Sequence, residues 1–483
     1  MRNKRLWSDT LVDFEGQLAN LTAPPERRRN LMAIYHRTTI EELERNFTRV
    51  PLKHLISKMF SLVNITITGN ETVELFDLEY YSKLDEFLQS ANCTTLFNYA
   101  GLRKILEWAA HASEEFRNAS FGLSKAISGV LAKKPRWEEC VDTVNNALPE
   151  IVGYRYVKQK FSEKAKKEVE DLVKRIANVF NETIRGNEWM DNATKGAAES
   201  KLAKMAAKIG YPDWLLNMTY LEKLYKYVPA LYLNSSFLEM HYAINENNMM
   251  RTLLKLRQPF DKDANWIIGA AVVNAFYSPS SNEMVYPSGI LQGVFFQHGV
   301  PRSLNFGAIG AVVGHEMTHG FDDKGSQFDA DGALKQWWTN ETRTKFNDKA
   351  QCFVYQYGNI TDKETNMTLN GANSVGENIA DNGGLRMAFK AYEKLLEDEC
   401  DGEDTRLPGL THLSGKKLFF IAQAMVWCGL NRVERLKHLI QYDTHSPYRY
   451  RVEMPMKNME EFSAVFNCPA NSTMNPTERC RLW

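Results

Sequence analysis

Gly314-His315-Glu316-Met317-Thr318-His319-Gly320 follows an apolar approach, Ile309-Gly310-Ala311-Val312-Val313. The pattern predicts a helix over about 304–320. In such a helix His315 and His319 are i and i+4, so both imidazoles leave one face and can meet one metal ion. Glu316 lies about 100° further round. It can hold a water at the metal but is poorly placed to be a ligand itself. Two neutral nitrogen ligands and a carboxylate able to take a proton from water are what a zinc peptidase needs. Chance supplies His-Glu-x-x-His in about one chain in a hundred of this length, so the motif needs a third ligand to carry weight.

Gly376-Glu377-Asn378-Ile379-Ala380-Asp381 opens a second helical pattern that continues through Leu385, Ala388, Phe389 and Tyr392. Glu377 and Asp381 are again i and i+4. One carboxylate would bind the metal, and the other would take the spare N–H of a ligand imidazole and fix its tautomer. Alone, the pair reads as two acids near a helix N-terminus; beside His-Glu-x-x-His the metal reading prevails. The other common zinc pattern, H-E-x-x-H-x-x-G-x-x-H, is excluded, because its later positions hold Asp322 and Gly325. The expected ligands are His315, His319 and Glu377, with a water in the fourth position. The acid- and glycine-rich stretch Asp322, Asp323, Gly325, Asp329, Asp331, Gly332 does not fit an EF-hand register and reads as turn chemistry.

With 483 residues the chain is too long for one compact core. Lys+Arg and Asp+Glu are 59 each, which argues against a nucleic-acid partner. No apolar run is long enough to span a membrane. The start, Met1-Arg2-Asn3-Lys4-Arg5-Leu6-Trp7, is basic with no apolar core behind it, unlike a signal peptide. Asn-x-Ser/Thr sequons nevertheless recur from Asn20 to Asn471 at roughly twice the density of chance, which implies an ectodomain carrying N-glycans. The seven cysteines lack metal-type spacing and read as disulfide formers with at least one left over. An extracellular or cell-surface chain of the secretory pathway with no targeting segment is expected to lack its true N-terminus.

Residues 1–50 read as helical, with a stop at Pro24-Pro25 and a helix start at Thr39; Val63–Thr68 reads as a short strand. Val169, Leu172, Val173, Ile176 and Phe180 give a clean helical stripe. A further helix is expected over about 191–208, ending at Gly210-Tyr211-Pro212. Near Pro259 the character changes: Val272–Tyr277 and Glu283–Pro287 flank a turn and read as a hairpin or edge strand. The domains expected are a mostly α-helical lobe over 1–260 and a catalytic domain over 261–483.

Four ordered motifs carry a resemblance: Val273-Asn274-Ala275-Phe276-Tyr277, the stretch from Gly314 to Asp323, the stretch from Gly376 to Leu385, and the terminal Cys480-Arg481-Leu482-Trp483. Together they resemble the neprilysin/endothelin-converting-enzyme family of zinc metallopeptidases. Arg136–Cys140 and Ile209–Pro212 extend the similarity into the helical lobe. The resemblance implies a mainly α (α+β), two-lobed fold: an α-helical lobe plus a thermolysin-like zinc catalytic domain with a small edge sheet. Such a lobe over the cleft would admit oligopeptides and exclude folded proteins.

By resemblance, one zinc ion is held by His315, His319 and Glu377. Glu316 is general base and then proton donor to the leaving amine. Asp381 orients His315. His445 stabilises the oxyanion with Asp443 as its partner, and Arg451 holds the substrate backbone. Asn274 and Ala275 match edge-strand positions that bind the peptide chain. Ile290, Phe295, Val312 and Trp427 match walls of the S1′ pocket, which implies cleavage on the amino side of large hydrophobic residues; Ala311, where relatives often carry Met, would widen it. The family's cytoplasmic tail, membrane anchor and opening ectodomain segment have no match here. That segment would supply the partners of Cys140, Cys428 and Cys468, and the chain alone is expected to be a fragment. Cys352–Cys480 is the disulfide expected to be complete, and Cys93 and Cys400 have no family partner. The alternative to a peptidase is a non-catalytic peptide-binding or decoy member, or an inactive fragment; the intact ligands, base and oxyanion donor argue against it.

Overall fold

The computed structural model describes residues 2–230, 232 and 234–483, without the side chains of residues 2–7. Met1 and those side chains, part of the basic start, lie outside the described residues. Helices dominate, accompanied by two small sheets. Among the described residues no helix is long and apolar enough to cross a membrane. The chain divides into two compact units, one of Met1–Ala126 with Thr219–Asp261 and one of Ile127–Met218 with Lys262–Trp483.

In the first unit, Tyr35–Thr39 (β1) pairs antiparallel with Thr72–Phe76 (β2). The all-helical reading of 1–50 is therefore corrected at 35–39, and the strand expected at 63–68 lies further on. The reason is non-local, since each of these strands is completed by the other. Thr39 does start a helix: its hydroxyl accepts from the Glu42 amide and caps Ile40–Asn46. Leu43, Phe47 and Val50 form a small core there.

The second unit holds the larger core. Helix Glu163–Arg185 begins at Ser162, whose side chain accepts from the Ala165 amide. It buries Val169, Leu172, Val173, Ile176 and Phe180. Each such side chain contributes about 1.5–3 kcal/mol relative to exposure. That stripe belongs to the core of the unit, which explains why 127–218 packs with 262–483 although the sequence reading placed it in the 1–260 lobe. The helix expected over 191–208 ends at Lys204. Ala206–Gly210 (β3) turns instead into a strand parallel to Glu283–Pro287 (β5), with Lys208 opposite Val285. Phe276–Ser278 (β4) closes the other side of β5 as the second arm of a hairpin.

The motif helix is not uniform. Arg302–Asn305 leads into a π turn, Phe306–Gly310, and then into the α-helix Ala311–His319. The Ile309 amide donates out of the helix to the Phe295 carbonyl, 2.9 Å away, so the regular ladder is interrupted there. Gly307 meets helix Gly415–Val426 so closely that a Cβ would fall 2.1 Å from the Phe419 carbonyl oxygen. The Glu377 helix, Val375–Glu399, crosses the motif helix at Gly314 and Gly384, backbone against backbone. This crossing brings two sequence-distant motifs together. Cys352 and Cys480 are joined as a disulfide.

Candidate active site

Glu377 occupies the first turn of its helix, where the N-terminal dipole favours a carboxylate. The Gly314–Gly384 crossing sets that turn over His315 and His319. The two imidazole Nε2 atoms are 3.0 Å apart, and Glu377 Oε2 lies 3.4 Å from each. Three ligands at tetrahedral zinc distances stand about 3.3–3.4 Å from one another. Glu377 Oε2 is buried and has no hydrogen-bond partner among the described residues, an orphaned acceptor aimed at the two imidazoles. These three residues therefore fit a zinc ion. Glu316 is also buried, and its carboxylate and the His315 and His319 ring nitrogens lie within 4.8 Å of one another.

The other ring nitrogens face carboxylates. His315 Nδ1 is 2.9 Å from Asp381 Oδ1, and His319 Nδ1 is 2.7 Å from Asp322 Oδ2. The His319 contact is a hydrogen bond that fixes the proton on Nδ1 and leaves Nε2 free to ligate, while Asp381 stands at ion-pair distance from His315 Nδ1. Asp322 also accepts through Oδ1 from the amides of Lys324 and Gly325. It is therefore both the turn residue expected from sequence and the support of His319, a role that the sequence reading did not assign. Its signal is an acid three residues after the second histidine.

The electrostatics favour positive charge at the centre. Burial and the neighbouring His319 would lower the His315 pKa; the carboxylates of Asp381 and Glu377 close by reverse this and raise it. His319 is raised well above its ordinary value against the same burial effect, through Glu377 and Asp322. Burial would raise Glu377, but the His319 charge and the close approach of both imidazoles hold it well below the usual carboxylate range. Burial would likewise raise Asp381, yet Arg451 and His315 bring it down to about 2. Glu316 differs: burial dominates and pushes its carboxyl up, towards the proton affinity of a base.

Asp322→Asn tests the second support. The amide oxygen can keep the turn, but the amide N–H would face His319 Nδ1 and drive the proton onto Nε2. Zinc affinity is expected to fall about 10–100-fold. Competition with a chromophoric chelator measures it, and an unchanged affinity in a folded variant would exclude the role.

His445 is brought to the centre by its loop. Asn373 Nδ2 donates to the Asp443 carbonyl and Ser446 Oγ to Asn378 Oδ1, tying 443–446 to the start of the Glu377 helix. His445 Nε2 lies 3.2 Å from Glu377 Oε2, and its Nδ1 lies 2.8 Å from Asp443 Oδ1. Arg451 is buried; its Nε and Nη2 donate to the two oxygens of Asp381 at 2.8 Å. Its guanidinium also lies over the Trp427 ring, 3.8 Å from the centroid.

A cleft of about 180 Å³ opens beside these groups, wholly within the second unit. Asn274, Ala275, Ile290, Phe295, Val312 and Trp427 all line it, together with Ala311 and Gln423. Asn274 and Ala275 directly precede the hairpin strand that begins at Phe276. The Ala275 amide donates to Asn274 Oδ1, 2.9 Å away, and Asn274 is exposed. Gln423 carried no functional expectation from sequence.

Two histidines a turn apart and a glutamate from a crossing helix have the arrangement of a candidate metal centre of the metallopeptidase type. Models of peptidase family M13 match residues 2–212 and 274–482, and the chain belongs to that family. It is 40% identical over 481 residues to membrane metallo-endopeptidase-like 1 of Mus musculus, covering 98% of this chain and 62% of that protein. It is 40% identical over 489 residues to neprilysin of Homo sapiens, covering 98% of this chain and 63% of that protein. The chain thus spans less than two thirds of the length of these curated relatives. A crystal structure of a zinc metalloprotease of Mycobacterium tuberculosis, in complex with an inhibitor, superposes with a TM-score of 0.87 at 27% identity, over 100% of this chain and 71% of that one.

Proposed function

We propose that this protein is a zinc-dependent endopeptidase that cleaves short extracellular peptides on the amino side of large hydrophobic residues. The observation that carries the reading is the triangle of His315 Nε2, His319 Nε2 and Glu377 Oε2 at 3.0–3.4 Å, set beside a cleft whose lining includes Ile290, Phe295, Val312 and Trp427. Zinc bound there would act as a Lewis acid on the scissile carbonyl and acidify a water.

Glu316 takes a proton from the attacking water and passes it to the leaving amine nitrogen. His445, in its imidazolium form, donates from Nε2 to the oxyanion and from Nδ1 to Asp443. Asp381 and Asp322 keep the ligand imidazoles in the tautomer that frees Nε2. Arg451, anchored by Asp381 through Nε and Nη2, presents Nη1 to a substrate carbonyl. Asn274 and Ala275, beside the hairpin strand, bind the peptide backbone. Ile290, Phe295, Val312 and Trp427 form the side-chain pocket, which Ala311 keeps wide.

Secretion and N-glycosylation belong to the same reading. Sequon residues such as Asn46, Asn217, Asn359 and Asn471 are exposed, and Cys352–Cys480 is a disulfide typical of an oxidising compartment. The decisive assay uses the full-length protein on a mixed oligopeptide library with mass-spectrometric mapping. Cleavage before hydrophobic residues, abolished by a chelator and restored by zinc, is expected. A zinc-loaded protein that binds peptides without cutting them would instead establish the non-catalytic alternative.

A further inference from the structure

Lys201 lies in helix Asn192–Lys204 and is fully buried. A lysine is almost never enclosed in this way unless its charged end is satisfied. Here Nζ donates to the Gly325 carbonyl at 2.7 Å and to the Phe328 carbonyl at 2.7 Å. The rings of Phe321 and Trp337 lie beside it, their centroids 5.6 and 5.7 Å away. The Lys201 carbonyl in turn accepts from Asn282 Nδ2 at 3.0 Å, which ties down the stretch of helix from which the side chain reaches. Both acceptors of Nζ belong to one short turn, Gly325–Gln327 with the residue after it.

That turn carries the donors that hold the support of His319. The Gly325 amide donates to Asp322 Oδ1 at 2.6 Å, while Asp322 Oδ2 faces His319 Nδ1. Gly325 also lies against the backbone of the ligand residue itself: a Cβ there would fall 1.8 Å from the His319 carbonyl oxygen. Lys201 grips this same Gly325 by its carbonyl, and Arg343 and Trp338 grip the middle of the turn through Ser326. A carboxylate that supports a metal ligand is only as well placed as the groups that fix it.

We propose that Lys201 is a positioning residue for the metal centre: by clamping the Gly325 and Phe328 carbonyls it fixes the turn whose amides hold Asp322, and through Asp322 it orients His319. This deepens the zinc peptidase reading and rests on it for the metal. Burial brings the Lys201 ammonium down to about 7, against the opposing pull of Asp322 and Asp329. The clamp needs two N–H donors, which the neutral amine also has, so it holds on both sides of that value.

The test compares Lys201→Met, Asp322→Asn and the double variant in the whole protein. Methionine is similar in length but donates nothing. Zinc affinity, by competition with a chromophoric chelator, is expected to fall about tenfold in Lys201→Met, the lower end of the range for outer supports because the effect passes through Asp322. Added to Asp322→Asn, the same substitution is expected to cost less than about twofold, since the path is already cut. In the metal-free protein, hydrogen exchange over 320–330, followed by mass spectrometry, is expected to quicken in Lys201→Met. Lys201→Gln still donates but is one atom too short to serve both carbonyls. Its expected loss is a few-fold, and it carries the comparison if Lys201→Met does not fold. A loss that repeats in full in the Asp322→Asn background would mean a general loosening of the fold, and would overturn the proposal. So would unchanged zinc affinity in either folded Lys201 variant. Wild-type protein that binds no zinc would refute the zinc reading and the proposal together. Zinc affinity that falls in Lys201→Met, in a protein whose wild type cleaves nothing, would uphold Lys201 and refute only the peptidase reading.

Discussion

Glu316→Gln is expected to lower kcat by about 100- to 10,000-fold while leaving zinc affinity and KM within a few-fold of the wild type. The glutamine keeps the shape of the side chain and its polar contacts, but it cannot take a proton from water. Glu377, not Glu316, closes the triangle with the two imidazoles, so loss of the Glu316 carboxylate removes no proposed ligand. Burial raises the Glu316 carboxyl, as suits a group that must hold the proton briefly before handing it on. Steady-state kinetics on a fluorogenic peptide, with zinc content measured on the same sample, makes the comparison. Turnover near the wild-type rate in a zinc-loaded variant would sink the assignment of Glu316 as base.

The second large effect falls on a residue that touches neither metal nor substrate. A Cβ on Gly314 would lie 2.4 Å from the Gly384 carbonyl oxygen and 2.7 Å from its Cα. Gly384 is equally tight, its own Cβ position lying 2.3 Å from the His315 amide nitrogen. Neither clash can be relieved by a side-chain rotation, because backbone faces backbone. Gly314→Ala must push the motif helix and the Glu377 helix apart. The expected cost is about 3 kcal/mol, the upper end of the range for overpacking. The same displacement separates Glu377 from the two imidazoles, so zinc affinity is expected to fall at least tenfold, by roughly the same penalty as a lost support. Urea unfolding and chelator competition on the purified variant give the two quantities. A variant with a wild-type unfolding midpoint and full zinc affinity would show that the crossing is looser than described.

Much of the site was legible because its parts are short-range. His315 with His319, and Glu377 with Asp381, each follow from the i, i+4 geometry of one helix. The stripe from Val169 to Phe180 and the cap at Thr39 are likewise local. Asp322 was half legible: its side chain caps a turn as expected, but its other oxygen reaches His319, and nothing in turn chemistry announces that. Ala206, Ala207 and Lys208 read as the tail of a helix because they are good helix formers. They became a strand because β5 offered a parallel partner, and pairing overrides a weak local preference. Gln423 left no signal, since its position on the helix reads as core and only the folded cleft, which it lines, sets it apart.

The amino-acid sequence by itself determined the chemical inventory and its local register: two imidazoles on one helical face, a carboxylate beside them, and two more a turn apart on a second helix. It determined these because a helix repeats every few residues, so spacing along the chain becomes direction in space. The tertiary structure alone decided which groups meet. It set Glu377 over the histidines through a glycine crossing, gave Asp381 to both His315 and Arg451, and brought His445 in on a loop held at Asn373 and Asn378. Those meetings depend on close packing between segments far apart in the chain, and such packing has no periodic signature to read.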